Sequence, residues 1–191
     1  MKTYTLKIDL LCYWHGGSGH GAKADVDALV LRDNTGFPYL PGRTLKGLLR
    51  DALYEMGLEG EAVRLFGKEA ATGENRGSVP GIIAVDDARM EETDRAWIDG
   101  SPEADGLKAQ LFDSVASTAI QDNGVAVSKS LRLVEVTLPM TLSGSITYMG
   151  TDERKASDLT LLSEACGIIR NLGSHRHRGL GRCRLTLSTS A

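Results

Sequence analysis

The chain has 191 residues, 41% of them hydrophobic and 25% charged, with a formal net charge of −3. That length fills one good core and is short for two. An aromatic content of 5% argues against a surface where base after base stacks on rings, and the acidic balance argues against a sequence-blind polycation.

In chain order, the first segment alternates Tyr4, Leu6, Ile8, Leu10 and Cys12 against Thr3, Thr5, Lys7 and Asp9, which predicts a half-buried strand. No signal-peptide core or membrane-length apolar run occurs, so the reading is a cytoplasmic protein without membrane contact. A glycine-rich loop, "HGGSGHGAKADVD", leads through the short run "ALVLRD" to the turn-rich "NTGFPYLPG". "GRTLKGLLRDALYEMG" then carries Leu45, Leu48, Leu49, Ala52, Leu53 and Met56 at helical spacing, with Gly42 or Thr44 to begin the helix and Gly57 to end it. Lys46, Gly47 and Arg50 lie off that stripe. A short helix from about Glu61 to Phe66 follows, and "GIIAVDDA" reads as a buried strand.

From Asp86 to Asp105 acids dominate, and the stretch from Met90 to Ser130 has no clear period; within it "QDNGVAVSKS" suggests a projecting hairpin or loop. "LRLVEVTLPMTLSGSITYM" predicts one long strand or two paired strands bent near Pro139. "SDLTLLSEACGIIRNLG" predicts a helix with Ser157 as N-cap and Gly173 as its stop, and "RCRLTLS" closes as a strand. Cys12, Cys166 and Cys183 fall in no metal spacing and read as buried reduced thiols. The order strand, helix, strand, strand, helix, strand predicts an α+β domain of the ferredoxin-like βαββαβ plan over residues 1–191, with insertions.

Three stretches carry chemistry. The final loop, "RNLGSHRHRGLGRCRL", gathers Arg170, Arg176, Arg178, Arg182, Arg184, His175 and His177 around Gly173, Gly179 and Gly181. Glycine lets backbone come close to a ligand, and arginine supplies charge-assisted bonds to phosphate; an exposed turn is the competing reading. "PGRTLKGLLR" offers a helix N-terminus beside Arg43 and Lys46, where a phosphate could dock, although its spacing is not that of a P-loop. Asp25 and Asp27 in the first glycine loop could hold a hydrated divalent ion beside a phosphate, or simply be solvated. His15, His20, His175 and His177 match no structural zinc pattern and read as nucleotide contacts or loop residues.

Taken together, "GG…DVDALVLRD", "LPGRTLKGLLRDAL" and "LGSHRHRGLGRC" resemble the RAMP superfamily of CRISPR-associated proteins, and most closely the repeated backbone subunit of type III effector complexes. Pro41, Gly42, Leu45, Lys46 and Gly47 match that family's first motif, with Arg43 and Thr44 standing where paired serines are usual. Arg178, Gly179 and Gly181 match its last. "TAIQDNGVAVSKSLRLVEV" is similar to the family's thumb hairpin and the strand after it, so the resemblance implies an acidic insertion and thumb at about 90–130. It further implies CRISPR RNA bound by Gly42, Arg43, Thr44, Lys46, Arg50, His175, Arg176, Arg178, Gly179 and Gly181. Complementary target RNA, other CRISPR-associated subunits and a helical filament of like subunits are the implied partners. The pattern around "DALVLRD" implies that Asp27 cleaves target RNA with a divalent ion, Mg²⁺ or Mn²⁺, bound only with RNA. Three further readings stay open: an inactive RAMP scaffold or capping subunit, a RAMP endonuclease that processes precursor CRISPR RNA with His15 or His20 as general base, and an anion-binding domain unconnected with CRISPR.

Overall fold

A computed structural model describes residues 1–17, 28–68, 79–128 and 130–189. Its centre is a four-stranded antiparallel sheet built from β1 (Lys2–Leu10), β4 (Ile83–Val85), β7 (Thr141–Tyr148) and β8 (Cys183–Thr189). The order across it is β4-β7-β1-β8. With α1 (Gly42–Glu55) between β1 and β4, and α5 (Asp152–Ile168) between β7 and β8, this is the ferredoxin-like arrangement that the order of elements predicts. The registers run from Lys2↔Tyr148 to Asp9↔Thr141 and from Tyr4↔Thr189 to Leu10↔Cys183.

The period-two pattern of β1 sends Tyr4, Leu6, Ile8 and Leu10 into the core, where they meet Leu45, Leu49 and Leu53 of α1 and Leu162, Ala165 and Cys166 of α5. The other face of the sheet carries Thr3, Lys7, Thr186 and Ser188 and stays open. Burial pushes the Cys166 and Cys183 thiols up to about 12 and about 11, so both are inert packing groups. The third thiol departs from expectation. Cys12 lies beyond the end of β1 and is only half-buried, with Sγ 3.2 Å from the Arg182 amide that donates to it.

α2 (Glu59–Phe66) docks on α1, and its Arg64 reaches Asp158 of α5 through two bonds of 3.0 and 2.5 Å. Asp158, 1% exposed, also accepts the Tyr148 hydroxyl at 2.8 Å. Burial would raise the Asp158 pKa, but the Arg64 and Tyr148 bonds outweigh it and leave the carboxyl below its ordinary value. β2 (Gly67–Lys68) and β3 (Val79–Pro80) form a two-residue ladder beside α2.

The chain from Met90 to Ser130 is more regular than its sequence suggests. It holds α3 (Glu92–Asp99), α4 (Ala104–Ala109) and β5 (Phe112–Ser117). β5 pairs with β6 (Arg132–Thr137) in a two-stranded hairpin whose tip exposes Ile120, Val125 and Leu131. β6 and β7 are therefore separate strands in separate sheets, not one strand or a pair: Pro139 lies where the chain leaves the hairpin for the central sheet. The last helix starts five residues before Ser157, which sits inside it and donates to the Arg154 carbonyl. It also ends at Ile168, before Gly173. Ile169, in extended backbone, and Leu172 are buried beyond the helix, so their burial mimics a helical period that has already stopped.

Candidate nucleic-acid interface

Pro41 precedes the first turn of α1 with φ −62° and ψ 137°, and its carbonyl accepts the Thr44 and Leu45 amides at 2.9 and 3.2 Å. Gly42 is buried, and a Cβ there would stand 2.1 Å from the Val85 carbonyl oxygen. This glycine exists so that α1 can start against β4. Its N–H donates to Asp87 Oδ1 at 2.9 Å, so the first amide of the helix is not free for a phosphate. Arg43 and Thr44 point outward and are exposed. Gly47 has open space around its missing Cβ.

Asp87 belongs to a carboxylate–arginine lattice that fixes the approach to α1. Arg89 bonds Asp87 at 2.9 Å and Asp33 at 3.0 Å, with its guanidinium 4.8 Å from the Tyr39 ring centre. Arg95 also reaches Asp33, at 3.0 Å. Burial alone would raise the Asp33 pKa; bonds from Thr35 and the Phe37 amide, with the Arg95 charge, carry it below the ordinary value instead.

The final loop is pinned at its base and open at its tip. Gly173 takes φ +82°, and a Cβ there would lie 2.5 Å from the His15 carbonyl oxygen, which accepts the Ser174 amide at 2.9 Å. His175 is left-handed at φ 58°, and Arg176–Arg178 form a single 3₁₀ turn. Gly179 is left-handed too, with nothing near its missing Cβ. Gly181 differs. It is buried at φ +72°, donates to the Tyr13 carbonyl at 2.7 Å, and accepts the Leu172 amide at 2.9 Å. A Cβ there would lie 1.9 Å from the Leu172 oxygen, so the fold itself requires glycine at this position.

These pieces meet at one cleft of about 270 Å³. Gly16 and Gly17 come from the first glycine loop, Arg43 and Thr44 from α1, and Gly173, Ser174 and Arg176 from the final loop. Lys46, Arg50, His175, Arg178, Gly179 and Gly181 do not line it. Arg50 Nε is buried without a hydrogen bond, 3.8 Å from Asp51 Oδ1. Arg43, Lys46, Arg176 and Arg178 form no ion pair among the described residues.

His15 is 3% exposed, and one ring nitrogen bonds the Glu135 carbonyl of the hairpin at 2.6 Å. That bond ties the start of the first glycine loop to β6, and the ring centre of His15 lies 6.1 Å from that of His175; His20 lies outside the described residues. Asp25 and Asp27 also lie outside them. Ala28, next in the chain, bridges to Val134 on β6, and its carbonyl accepts the Glu135 amide at 3.1 Å. No group of three or more His, Cys, Asp or Glu able to hold a metal occurs among the described residues. No described helix is long and apolar enough to cross a membrane.

Fold and cleft define a ferredoxin-like α+β domain in which cations without ion pairs among the described residues flank a groove made by three segments distant in sequence. The chain belongs to the RAMP superfamily, which it matches over residues 7–184. A chain of the Type III-B Cmr-beta complex, in a cryo-EM structure of the apo state, superposes with a TM-score of 0.70 at 12% identity, covering 97% of each chain. The same complex bound to cognate target RNA gives 0.70 at 11% identity, over 98% of this chain and 97% of that one. A comparison with curated proteins finds no match.

Proposed function

We propose that this protein is an RNA-binding backbone subunit of a type III CRISPR effector complex. The observation that carries the proposal is the cleft itself, where Arg43, Thr44 and Arg176 converge from separate ends of the chain with no carboxylate partner among the described residues. Such an array suits a phosphodiester chain, because guanidinium groups bond phosphate oxygens directly and binding releases counterions. The fold shared with chains of a Cmr complex solved with target RNA supports the same reading. CRISPR RNA is the proposed resident strand, and target RNA pairs with it. Like subunits and other CRISPR-associated subunits are the proposed neighbours along it, in the cytoplasm.

Asp27 is the residue proposed for target cleavage, with the 2′-hydroxyl of the target as nucleophile on the adjacent phosphorus. Ala28, the next residue in the chain, bridges Val134 on β6 of the hairpin assigned as the thumb. A divalent ion would neutralise charge on the phosphate; the described residues do not form a cage for it, and Asp27 with the RNA's own oxygens would have to supply its ligands. The test is cleavage of target RNA by the assembled complex. Asp27→Asn is expected to abolish cutting while leaving CRISPR-RNA and target binding intact, and undiminished cutting would remove Asp27 from the mechanism. A wild-type complex that binds target and never cuts it would make the subunit a scaffold.

A further inference from the structure

The charges of the final loop are not confined to the cleft beside α1. A second cleft, of about 250 Å³, runs between the C-terminal half of α1 and the loop, and shares Arg176 with the first. A third, of about 360 Å³, lies where β8 leaves the loop, and shares Arg170 and Asn171 with the second. The three clefts lie in series around the base of the loop, a trough in which the shared residues stand between one cleft and the next and whose lining runs from Arg43 through Arg176 and Arg170 to Arg182 and Arg184. Arg170 and Arg182 are exposed and have no carboxylate partner among the described residues. Arg184 stands opposite Asp9 in the β1–β8 register and shares its charge with that carboxylate, so less weight falls on it.

We infer that the far end of this trough, at Arg170 and Arg182, is a second phosphate-binding stretch, so that one RNA strand follows the loop around its base. This rests on the RNA-binding reading above and extends it to Arg170 and Arg182, two arginines of the final loop that the resemblance does not place among the RNA contacts. Exposed arginines that line a concave surface without ion pairs focus a positive potential there, which draws an anion. The middle of the trough carries Asp51 and Glu55 from α1, opposite Arg170, Arg176 and His177. Those carboxylates repel a passing backbone and hold it to the loop side, which gives the proposal a signature of opposite sign.

The test compares two single-stranded RNAs, of about 4 and about 16 nucleotides, bound to the full chain and followed by fluorescence anisotropy across a salt series. Arg43→Gln/Arg176→Gln is expected to weaken both RNAs. Arg170→Gln/Arg182→Gln is expected to weaken the longer RNA by about tenfold, lower its salt slope by roughly two units, and leave the shorter RNA unchanged. Asp51→Asn/Glu55→Gln is expected to tighten the longer RNA by about threefold. Wild-type affinity for the longer RNA in Arg170→Gln/Arg182→Gln would overturn the second stretch while leaving the first cleft in place. Loss of self-association by that variant, with RNA affinity intact, would assign the arginines to an acidic protein face and overturn it equally. Failure of the wild-type chain to bind either RNA would instead overturn the RNA-binding reading itself. All six substitutions are at surface or cleft-lining positions, and an unchanged melting curve would confirm that each variant is folded.

Discussion

Two sets of arginines divide the molecule. Arg32, Arg64, Arg89 and Arg95, all in the first half of the chain, each meet a carboxylate: Glu135, Asp158, Asp33 with Asp87, and Asp33. Arg170, Arg176, Arg178 and Arg182 have none among the described residues, although the chain has an acidic surplus. Abundance of acids therefore does not decide which arginines are neutralised. Position does, because the paired set joins separate segments, whereas the unpaired set rides on a loop whose backbone is held by other means. Net charge is a poor guide to binding for the same reason.

The loop's platform should be the easiest part of this contrast to break. Gly181→Val puts a branched side chain at positive φ against the Leu172 carbonyl, and is expected to cost about 4 kcal/mol or more, read from a urea midpoint. Gly179→Val meets open space and carries only the left-handed penalty, about 1–2 kcal/mol. Equal losses at the two positions would mean that the base of the loop is not pinned as described.

Next in size is the paired set. Arg64→Met strands the Asp158 carboxylate in the core with only Tyr148 to bond it, and should destabilise the fold by about 3 kcal/mol. RNA affinity of the folded fraction should not change. A stability close to wild type would show that this pair contributes little.

Acid sharpens the contrast further. Asp33 and Asp158 both have folded-state pKa values below their unfolded ones, so their contribution is complete above the unfolded value, about 4, and is lost as pH falls through the folded values. The melting temperature should fall steeply below about pH 4, and Asp33→Asn should flatten part of that descent while lowering the plateau at neutral pH. An acid limb identical in the variant would remove Asp33 from the account.

The smallest expected effect belongs to the unpaired set. Arg178→Gln should leave the melting curve in place and weaken RNA by about 1 kcal/mol, with the salt slope lower by roughly one unit. A shifted melting curve with unchanged RNA binding would place Arg178 with the structural arginines after all.

The central sheet and α1 were legible in the sequence because their apolar periods are long and unbroken, as in Tyr4, Leu6, Ile8 and Leu10 and in Leu45, Leu49 and Leu53. α3 and β5 were not, since most of their residues are exposed and leave no buried stripe to read. Ser157 misled because a good capping residue can equally sit on the outside of a helix. The basic loop and the Pro-Gly turn were visible as candidates, yet glycine looks the same in a sequence whether it makes room for a ligand or for its own chain. Only the surroundings of Gly42, Gly179 and Gly181 separate the two uses. Cys12 gave no signal of its hold on the loop, because its partner amide is 170 residues away.

The tight seat of Gly42 against Val85 has a bearing on how such chains are recognised. A pattern anchored on that Pro-Gly pair detects the meeting of a helix with a strand edge, so it would persist in a descendant that had shed every contact with nucleic acid. The pair works as a mark of ancestry, and an inactive copy would carry it as faithfully as a working one.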